Sequence, residues 1–280
     1  MEEGIEGVAL LLMAVTVFVS YRGWKDPAFF ERHAFEVSPI LTGKEYGRLI
    51  SAGFLHANWL HLIFNLATLY TFSHGLGYAL DVKNFLLLYL VSLLAGNLLA
   101  LYIHRNHGDY RAIGASGAVS GVIFASVVMF PDSSISFPFL PIEIKSWLFG
   151  TIYLLLSLYA IKVQAGNIGH EAHVGGAIAG VVVSIGLEPH ILTLHPWVVV
   201  GLLLPFLLFM TLLIRKPAIL LVEHYWGYDR KSARPASLTV RPDQDEDVLN
   251  HLLEKVNRGG IESLSKLEKR RLEELSRRVK

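Results

Sequence analysis

The sequence predicts an all-α membrane protein with a bundle of six transmembrane helices, a seventh transmembrane helix and a short, helical soluble tail. Hydrophobic residues make up 52% of the 280 residues and charged residues only 18%, against about 25% charged in an ordinary soluble domain. The apolar residues form long stretches before residue 215, and the chain beyond is rich in charge. This distribution indicates one membrane domain followed by a soluble tail.

A helix needs roughly 20 predominantly apolar residues to cross a bilayer core of about 30 Å. Seven segments approach this length: residues 5–21, 58–78, 85–104, 114–130, 146–163, 169–187 and 197–214. We expect the first to be a retained helix and not a signal peptide, because acidic residues precede it and no small-residue cleavage site follows. The expected units are a catalytic membrane domain at 1–190, the extra transmembrane helix within 191–222, and a linker with a helical tail at 223–280.

The first connecting loop is rich in aromatic side chains, which favour the membrane interface, so we expect it to lie on the bilayer. These side chains are Trp24, Phe29, Phe30 and Phe35. The segment 131–144 holds three prolines and predicts a plain connector.

The tail predicts a small helical hairpin. Residues 247–258 repeat apolar side chains at a helical period, and Ser265 with Glu268 forms a capping box for a second helix. Neither segment carries a catalytic signal, and the sequence does not predict what the tail binds.

Composition removes several classes of chemistry. The chain has no cysteine, which excludes disulfides, thiolate nucleophiles and cysteine-based metal centres. The net charge of +1 gives no indication of nucleic-acid binding. The 12 histidines suggest a metal or haem protein as one alternative, but His170-Glu171-Ala172-His173 is one residue short of the zinc motif HExxH. We therefore expect no metal and no cofactor.

Polar side chains at membrane depth are costly and usually have a function. Three such clusters occur here, each at the start of a predicted helix. They are Gly114-Ala115-Ser116-Gly117 at the start of the fourth helix, His56, His61 and Asn65 at the second, and His173 within residues 170–176 at the sixth.

Each cluster alone has a packing explanation, because stripes of small residues let helices approach closely. Gly117 and Gly121 form such a stripe on the fourth helix, and Gly176 and Gly180 extend one from His173 on the sixth. Close approach of these two helices would bring the Ser116 hydroxyl to a histidine that can act as its general base.

Acyl transfer also needs hydrogen-bond donors for the developing oxyanion. His61 and Asn65 are four residues apart, hence neighbours on one helical face, and can donate together with the Ser116 N–H. Glu171 is two residues from His173 and points elsewhere on a helix, so a Ser–His dyad is favoured over a triad.

These motifs resemble the three signatures of the rhomboid family of intramembrane serine proteases. The signatures are His-x4-His-x3-Asn from His56 to Asn65, Gly-Ala-Ser-Gly around Ser116, and Ala-His-x-Gly-Gly around His173, and the resemblance covers residues 43–186. The resemblance implies a six-helix rhomboid bundle, with the seventh helix found in some bacterial members.

The resemblance also implies the roles of the residues and the partners of the protein. Ser116 would be the nucleophile, His173 the general base, and His61 and Asn65 oxyanion donors, with His56, Gly114 and Gly117 in support. The implied function is an endopeptidase in a bacterial inner membrane, which cleaves single-span membrane proteins in or near their transmembrane segment.

Three departures from the family pattern stand out. Gly47 replaces the tryptophan of a Trp–Arg pair before Arg48, and an acidic residue is missing near the end of the second helix. Ser120 replaces an aromatic residue that would stack on the base, so His173 needs another partner to hold its orientation. None of these removes a catalytic atom. The alternative is an inactive rhomboid-like protein that binds membrane clients, but such relatives typically lack the serine or the histidine.

The basic residues raise a question of orientation. On the side of the membrane where Ser116 opens, the chain carries Arg22, Lys25, Arg32, Lys44, Arg48, Arg105, Arg111, Lys162 and the basic residues from Arg215 on. The other side has only Lys83 and Lys145. The positive-inside rule predicts that the crowded side is cytoplasmic, whereas the family resemblance predicts that the active site opens outward. The sequence leaves both open.

Overall fold

The computed structural model describes residues 2–137, 140–163 and 169–215, together with residues 253, 256 and 272. The tail helices predicted at 247–258 and after Ser265 therefore lie outside the described stretches. The chain divides into two compact units, Met1–Val222 and Glu223–Lys280. The boundaries predicted for the three parts of the chain stay predictions.

The first unit is a multi-pass bundle of helices. Its long helices are α1 (Glu2–Lys25), α5 (Trp59–Leu76), α6 (Val82–His104), α7 (Ser116–Met129), α8 (Ser146–Val163), α9 (His170–Leu187) and α11 (Pro196–Arg215). The short helices are α2 (Pro27–His33), α3 (Val37–Leu41), α4 (Arg48–Ser51) and α10 (Ile191–Leu194), with a 3-10 turn at Ala52–Phe54. Five long helices have the length and apolar composition of a membrane span, and α5 joins them when taken with the bent segment Arg48–Phe54.

Helix α7 is shorter than the predicted segment 114–130. It has 14 residues, about 21 Å at about 1.5 Å per residue, which is shorter than the roughly 20 residues of a typical membrane span. Gly114 causes the late start, because its φ of +127° is incompatible with a right-handed helix. All residues from Gly117 to Val128 are buried, which places α7 at the centre of the bundle.

Helices α6, α7 and α9 pack backbone to backbone through small residues. A methyl group built on Gly96 of α6 would lie 2.5 Å from the Ala172 carbonyl oxygen of α9, and one built on Gly176 would overlap the Gly117 carbonyl oxygen of α7. The predicted close approach of the two small-residue stripes is therefore confirmed. Such contact maximises van der Waals packing, which holds helices together where the surrounding lipid is equally apolar.

The first loop packs on the bundle as a separate structural layer. Strand β1 (Phe35–Glu36) pairs antiparallel with β2 (Arg111–Ala112) of the segment between α6 and α7. Phe35 is fully buried, in a cluster with Val37, Ile40, Leu49, Ala52 and Ala100. The expectation that the aromatic residues of this loop lie on the bilayer is therefore wrong for Phe35, because its ring fills this small core.

Residues 131–144 do not form a plain connector. Strands β3 (Ser134–Phe137) and β4 (Leu140–Lys145) pair antiparallel, with Ser134 opposite Lys145 and Ile135 opposite Ile144. The prolines obscured this hairpin in the sequence. A two-stranded sheet has only edge strands, and edge strands tolerate proline.

Helix α11 is the seventh long helix. Its buried residues Val198, Val199, Leu202, Phe209 and Leu213 belong to the main core. Its first turn lies beside the first turn of α8, where the rings of Trp147 and Trp197 are 5.3 Å apart. The two helices therefore begin on the same side of the bundle.

Candidate active site

Ser116 is the first residue of α7 and follows a sharp bend in the chain. Gly114 adopts a φ of +127°, which favours glycine, and its N–H donates to the Ala52 carbonyl at 3.0 Å. Ser116 is half-buried. As the first helical residue, Ser116 has a backbone N–H with no carbonyl partner inside the helix.

His61 and Ser116 converge on the open side of Gly114. A side-chain carbon built on Gly114 would lie 2.9 Å from His61 Nε2 and 3.8 Å from Ser116 Oγ. The backbone of His61 is held in the first turn of α5, because the His61 N–H donates to Oδ1 of the N-cap residue Asn58 at 2.9 Å. Glycine at position 114 therefore leaves a space that both side chains border.

His173 lies on the first turn of α9, next to the same region. A methyl group on Gly117, the residue after Ser116, would lie 3.2 Å from the carbonyl oxygen of Ala172, the residue before His173. The structure thus brings the nucleophile and base candidates to adjacent turns of two contacting helices. Within the described residues no hydrogen bond joins their side chains. Catalytic hydrogen bonds are often long before substrate binds.

Two aromatic rings border the imidazole of His173. The Tyr153 ring of α8 lies 6.2 Å from it with the planes 30° apart, and the His170 ring lies 5.6 Å away at 78°. Tyr153 Oη is 2.8 Å from Ser120 Oγ. Tyr153 was not predicted from the sequence, although Ser120 indicated that His173 needs a partner from elsewhere.

His56 connects helix α1 to the segment that carries Ser116. Ser20 Oγ donates to the Phe54 carbonyl at 2.9 Å, so it must accept from His56 Nδ1 at 3.0 Å. His56 Nε2 then carries no proton and accepts a long hydrogen bond from the Ala115 N–H at 3.4 Å. His56 is buried and its ring packs 4.8 Å from that of His61.

Asn65 is buried on α5, one turn after His61. Its Nδ2 donates to the His61 carbonyl at 3.0 Å. An amide nitrogen has two N–H donors, so one donor remains for another acceptor. The two predicted oxyanion donors therefore share one face of α5, as their spacing indicates.

Glu171, two residues before His173, pairs with helix α6, where its Oε1 accepts from His104 Nε2 at 3.0 Å. This buried pair was not predicted from the sequence, because 67 residues separate its members. Among the described residues no group of three histidine, cysteine, aspartate or glutamate side chains has the arrangement of a metal site.

Helices α7 and α9 bring a serine and a histidine together inside a multi-pass membrane bundle, which defines a membrane protein with a candidate serine-hydrolase site. The chain belongs to the rhomboid family, because residues 43–190, more than half of it, match the rhomboid domain. The predicted family is thereby confirmed. Residues 242–278 match a second family, DUF6576, which is described as a family of unknown function.

Several relatives carry the same family name. The chain is 28% identical over 176 residues to the mitochondrial rhomboid protein 1 of Saccharomyces cerevisiae, which covers 62% of this chain and 50% of the relative. It is 29% identical over 167 residues to the rhomboid protease AarA of Providencia stuartii, covering 54% and 59%. It is 36% identical over 93 residues to the putative rhomboid protease YdcA of Bacillus subtilis, covering 32% and 46%. The chain thus spans about half the length of the curated relatives it matches.

Proposed function

We propose that this protein is an intramembrane serine endopeptidase that cleaves single-span membrane proteins in or near their transmembrane segment. Membership of the rhomboid family and relatives named as proteases support this proposal. The observation that carries it is the convergence of Ser116 and His61 on Gly114, beside the contact between Gly117 and Ala172 that brings His173 near.

In the proposed reaction Ser116 Oγ attacks the scissile carbonyl while His173 removes its proton. The carbonyl oxygen becomes an oxyanion and accepts from the Ser116 N–H, His61 and Asn65. The N-terminal end of α7 adds the positive end of a helix dipole at the same place. His173 then protonates the leaving amine, and water hydrolyses the acyl-enzyme by the same steps.

The proposed partners are transmembrane protein substrates and the lipid bilayer itself. The bundle is an integral multi-pass membrane domain, so a single-span substrate can reach it within the bilayer. The predicted location, a bacterial inner membrane, stays a prediction. Relatives include both a mitochondrial protein of yeast and a bacterial protease.

Three variants of the full-length protein test the proposed dyad. Ser116→Ala, His173→Ala and the double variant should each lose cleavage of a fluorogenic single-span peptide by roughly 10³-fold or more, and equally, because the two residues act as one unit. Ser126→Ala on the same helix is the matched control and should cleave normally. A fluorophosphonate probe should label wild type and the control but not Ser116→Ala. Near-normal cleavage by Ser116→Ala would refute the assignment, and a wild type that neither cleaves nor labels would favour a client-binding protein.

A further inference from the structure

The dyad mechanism leaves one buried carboxylate without a role. Glu171 lies in the first turn of α9, two residues before His173, and is only 9% exposed. An ionisable group in a membrane bundle is costly unless it is paired, and such groups usually serve a function. Its partners therefore indicate what it does.

The two carboxylate oxygens of Glu171 bind two different parts of the chain. Oε1 accepts from His104 Nε2 at 3.0 Å, and Oε2 accepts from the Tyr110 hydroxyl at 3.4 Å. A carboxylate is only an acceptor, so both partners must donate. The rings of His104 and Tyr110 stack with centroids 3.5 Å apart and planes 6° apart, which makes the two donors one rigid unit.

Both partners lie on the stretch of chain that leads from the end of α6 to Ser116. His104 is the last residue of α6, and Tyr110 lies six residues before Ser116. Between Tyr110 and Ser116 the chain is fixed by the β1–β2 pairing of Ala112 with Phe35 and by the Gly114 N–H bond to Ala52. Because this segment is held along its length, a shift of Tyr110 would also shift Ser116.

The same carboxylate is joined to the base by a single turn of helix. His173 follows Glu171 by two residues, and the intervening Ala172 carbonyl packs against Gly96 and Gly117. A displacement of Glu171 would move the first turn of α9, and with it the imidazole, relative to α7.

We propose that Glu171 is a positioning residue, which sets the distance between His173 and Ser116 by joining the first turn of α9 to α6 and to the segment before α7. This inference rests on the proposed function. A misplacement of about 1 Å in a catalytic constellation can cost roughly 10²-fold in rate. Glu171 makes no contact with the reacting atoms in this assignment and acts through His173.

The test compares variants of the full-length protein in detergent, after titration of active sites with the fluorophosphonate probe. Glu171→Ala should lower kcat per titrated site by roughly 10–100-fold and leave KM within about twofold, because geometry and not substrate binding is lost. Glu171→Gln keeps one acceptor oxygen and should fall between Glu171→Ala and wild type. Tyr110→Phe removes one of the two hydrogen bonds and should cost less. Combining it with Glu171→Ala should cost nothing further.

Glu188→Gln, at the other end of α9, is the matched control and should keep kcat unchanged. Glu188 is only partly exposed and pairs with His190 at 3.2 Å, remote in sequence from the base. A purely structural role would reduce the number of titratable sites but leave kcat per site normal, and that result would overturn the proposal. Additive effects of Tyr110→Phe and Glu171→Ala would do so as well. Labelling of Ser116 in the wild type separates failure of the protease function from failure of the positioning role of Glu171. If the wild type is not labelled, the proposed function fails and this inference with it.

Discussion

The hydroxyl of Tyr153 on α8 lies 2.8 Å from the hydroxyl of Ser120 on α7, and this bond holds the Tyr153 ring 6.2 Å from the His173 ring. Ser120 is four residues after Ser116, where the family resemblance led us to expect an aromatic residue. The ring is thus supplied by a neighbouring helix, and Ser120 holds it. Aromatic ring pairs at this separation stabilise a fold by about 0.5–1.5 kcal/mol in addition to the free energy of burying their surface.

Tyr153→Phe and Ser120→Ala should each slow peptide cleavage by roughly 2–10-fold, because both remove the same hydrogen bond, worth about 1 kcal/mol. The double variant should be no slower than either single one, since the two side chains act through one contact. Tyr153→Leu removes the ring itself and should be slower still. The measurement is kcat at saturating peptide for each purified variant.

Tyr159→Phe is the matched control for these variants. Tyr159 lies on the same helix α8 but is 62% exposed, so removal of its hydroxyl should leave kcat unchanged. Additive losses in Ser120→Ala and Tyr153→Phe would show that the two hydroxyls act separately and not through one shared hydrogen bond.

The oxyanion assignment gives a second prediction. Asn65→Ala and His61→Ala should each lower kcat by roughly 10–1,000-fold, the scale for the loss of one oxyanion donor. Asn65 also bonds the His61 carbonyl, so the thermal stability of each variant should be measured beside its rate. Thr68→Ala controls for that backbone bond, because Thr68 Oγ1 donates to the Phe64 carbonyl on an exposed part of the same helix. If both variants kept full turnover, backbone N–H groups alone would have to stabilise the oxyanion.

Much of the bundle was predictable because membrane helices carry a strong local signal. The predicted segment 146–163 coincides with α8, and the segment 169–187 differs from α9 by one residue. The start of α7 at Ser116 was not predictable, because the apolar segment already includes Gly114 and only the backbone angle of Gly114 delays the helix. The β3–β4 hairpin was missed because the prolines in this segment indicate a loop, although the edge strands of a two-stranded sheet tolerate proline.

The candidate site was predictable only where short spacings carried the information. The spacing of four between His61 and Asn65 and the glycine stripes of α7 and α9 each imply a local geometry. The contacts of Tyr153 with His173 and of His104 with Glu171 join distant parts of the chain, and no periodicity reveals such pairs. Long-range polar contacts in a bundle depend on which helices become neighbours, and local sequence patterns do not reveal those neighbours.

The glycine contact between α7 and α9 gives a third prediction. Gly176→Ala places a methyl group against the Gly117 carbonyl, so the helices must separate or the methyl must clash. Overpacking of this kind costs about 1–3 kcal/mol or more, and we expect a lower melting temperature in detergent together with slower labelling of Ser116. Gly186→Ala, on the same helix with no atom within 4 Å of the added carbon, should leave both unchanged or raise stability slightly. Equal behaviour of the two variants would contradict the close contact.

The orientation of the active site gives the last prediction. Because the chain has no cysteine, single cysteines can be introduced at Ser38, Ser134 and Ser237 and labelled with a membrane-impermeant maleimide without background. Ser38 and Ser134 are exposed, on α3 and β3, and Ser237 lies outside the described residues. Following the family resemblance, we expect Ser38→Cys to label from outside intact cells and Ser134→Cys to label only after the cytoplasmic side is opened.

Ser237→Cys decides whether α11 spans the membrane. Trp197 and Trp147 lie side by side, so α11 begins where α8 begins, and its 20 residues extend about 30 Å, enough to cross the bilayer core. Arg215 therefore emerges on the side where α8 ends and where the first turn of α9 carries His173. We expect Ser237→Cys to label together with Ser38→Cys. Labelling with Ser134→Cys would instead mean that the chain does not cross at α11. If Ser38→Cys labelled only from the cytoplasm, the basic residues on the Ser116 side would have been the better guide to topology, and cleavage would take place on the cytoplasmic side.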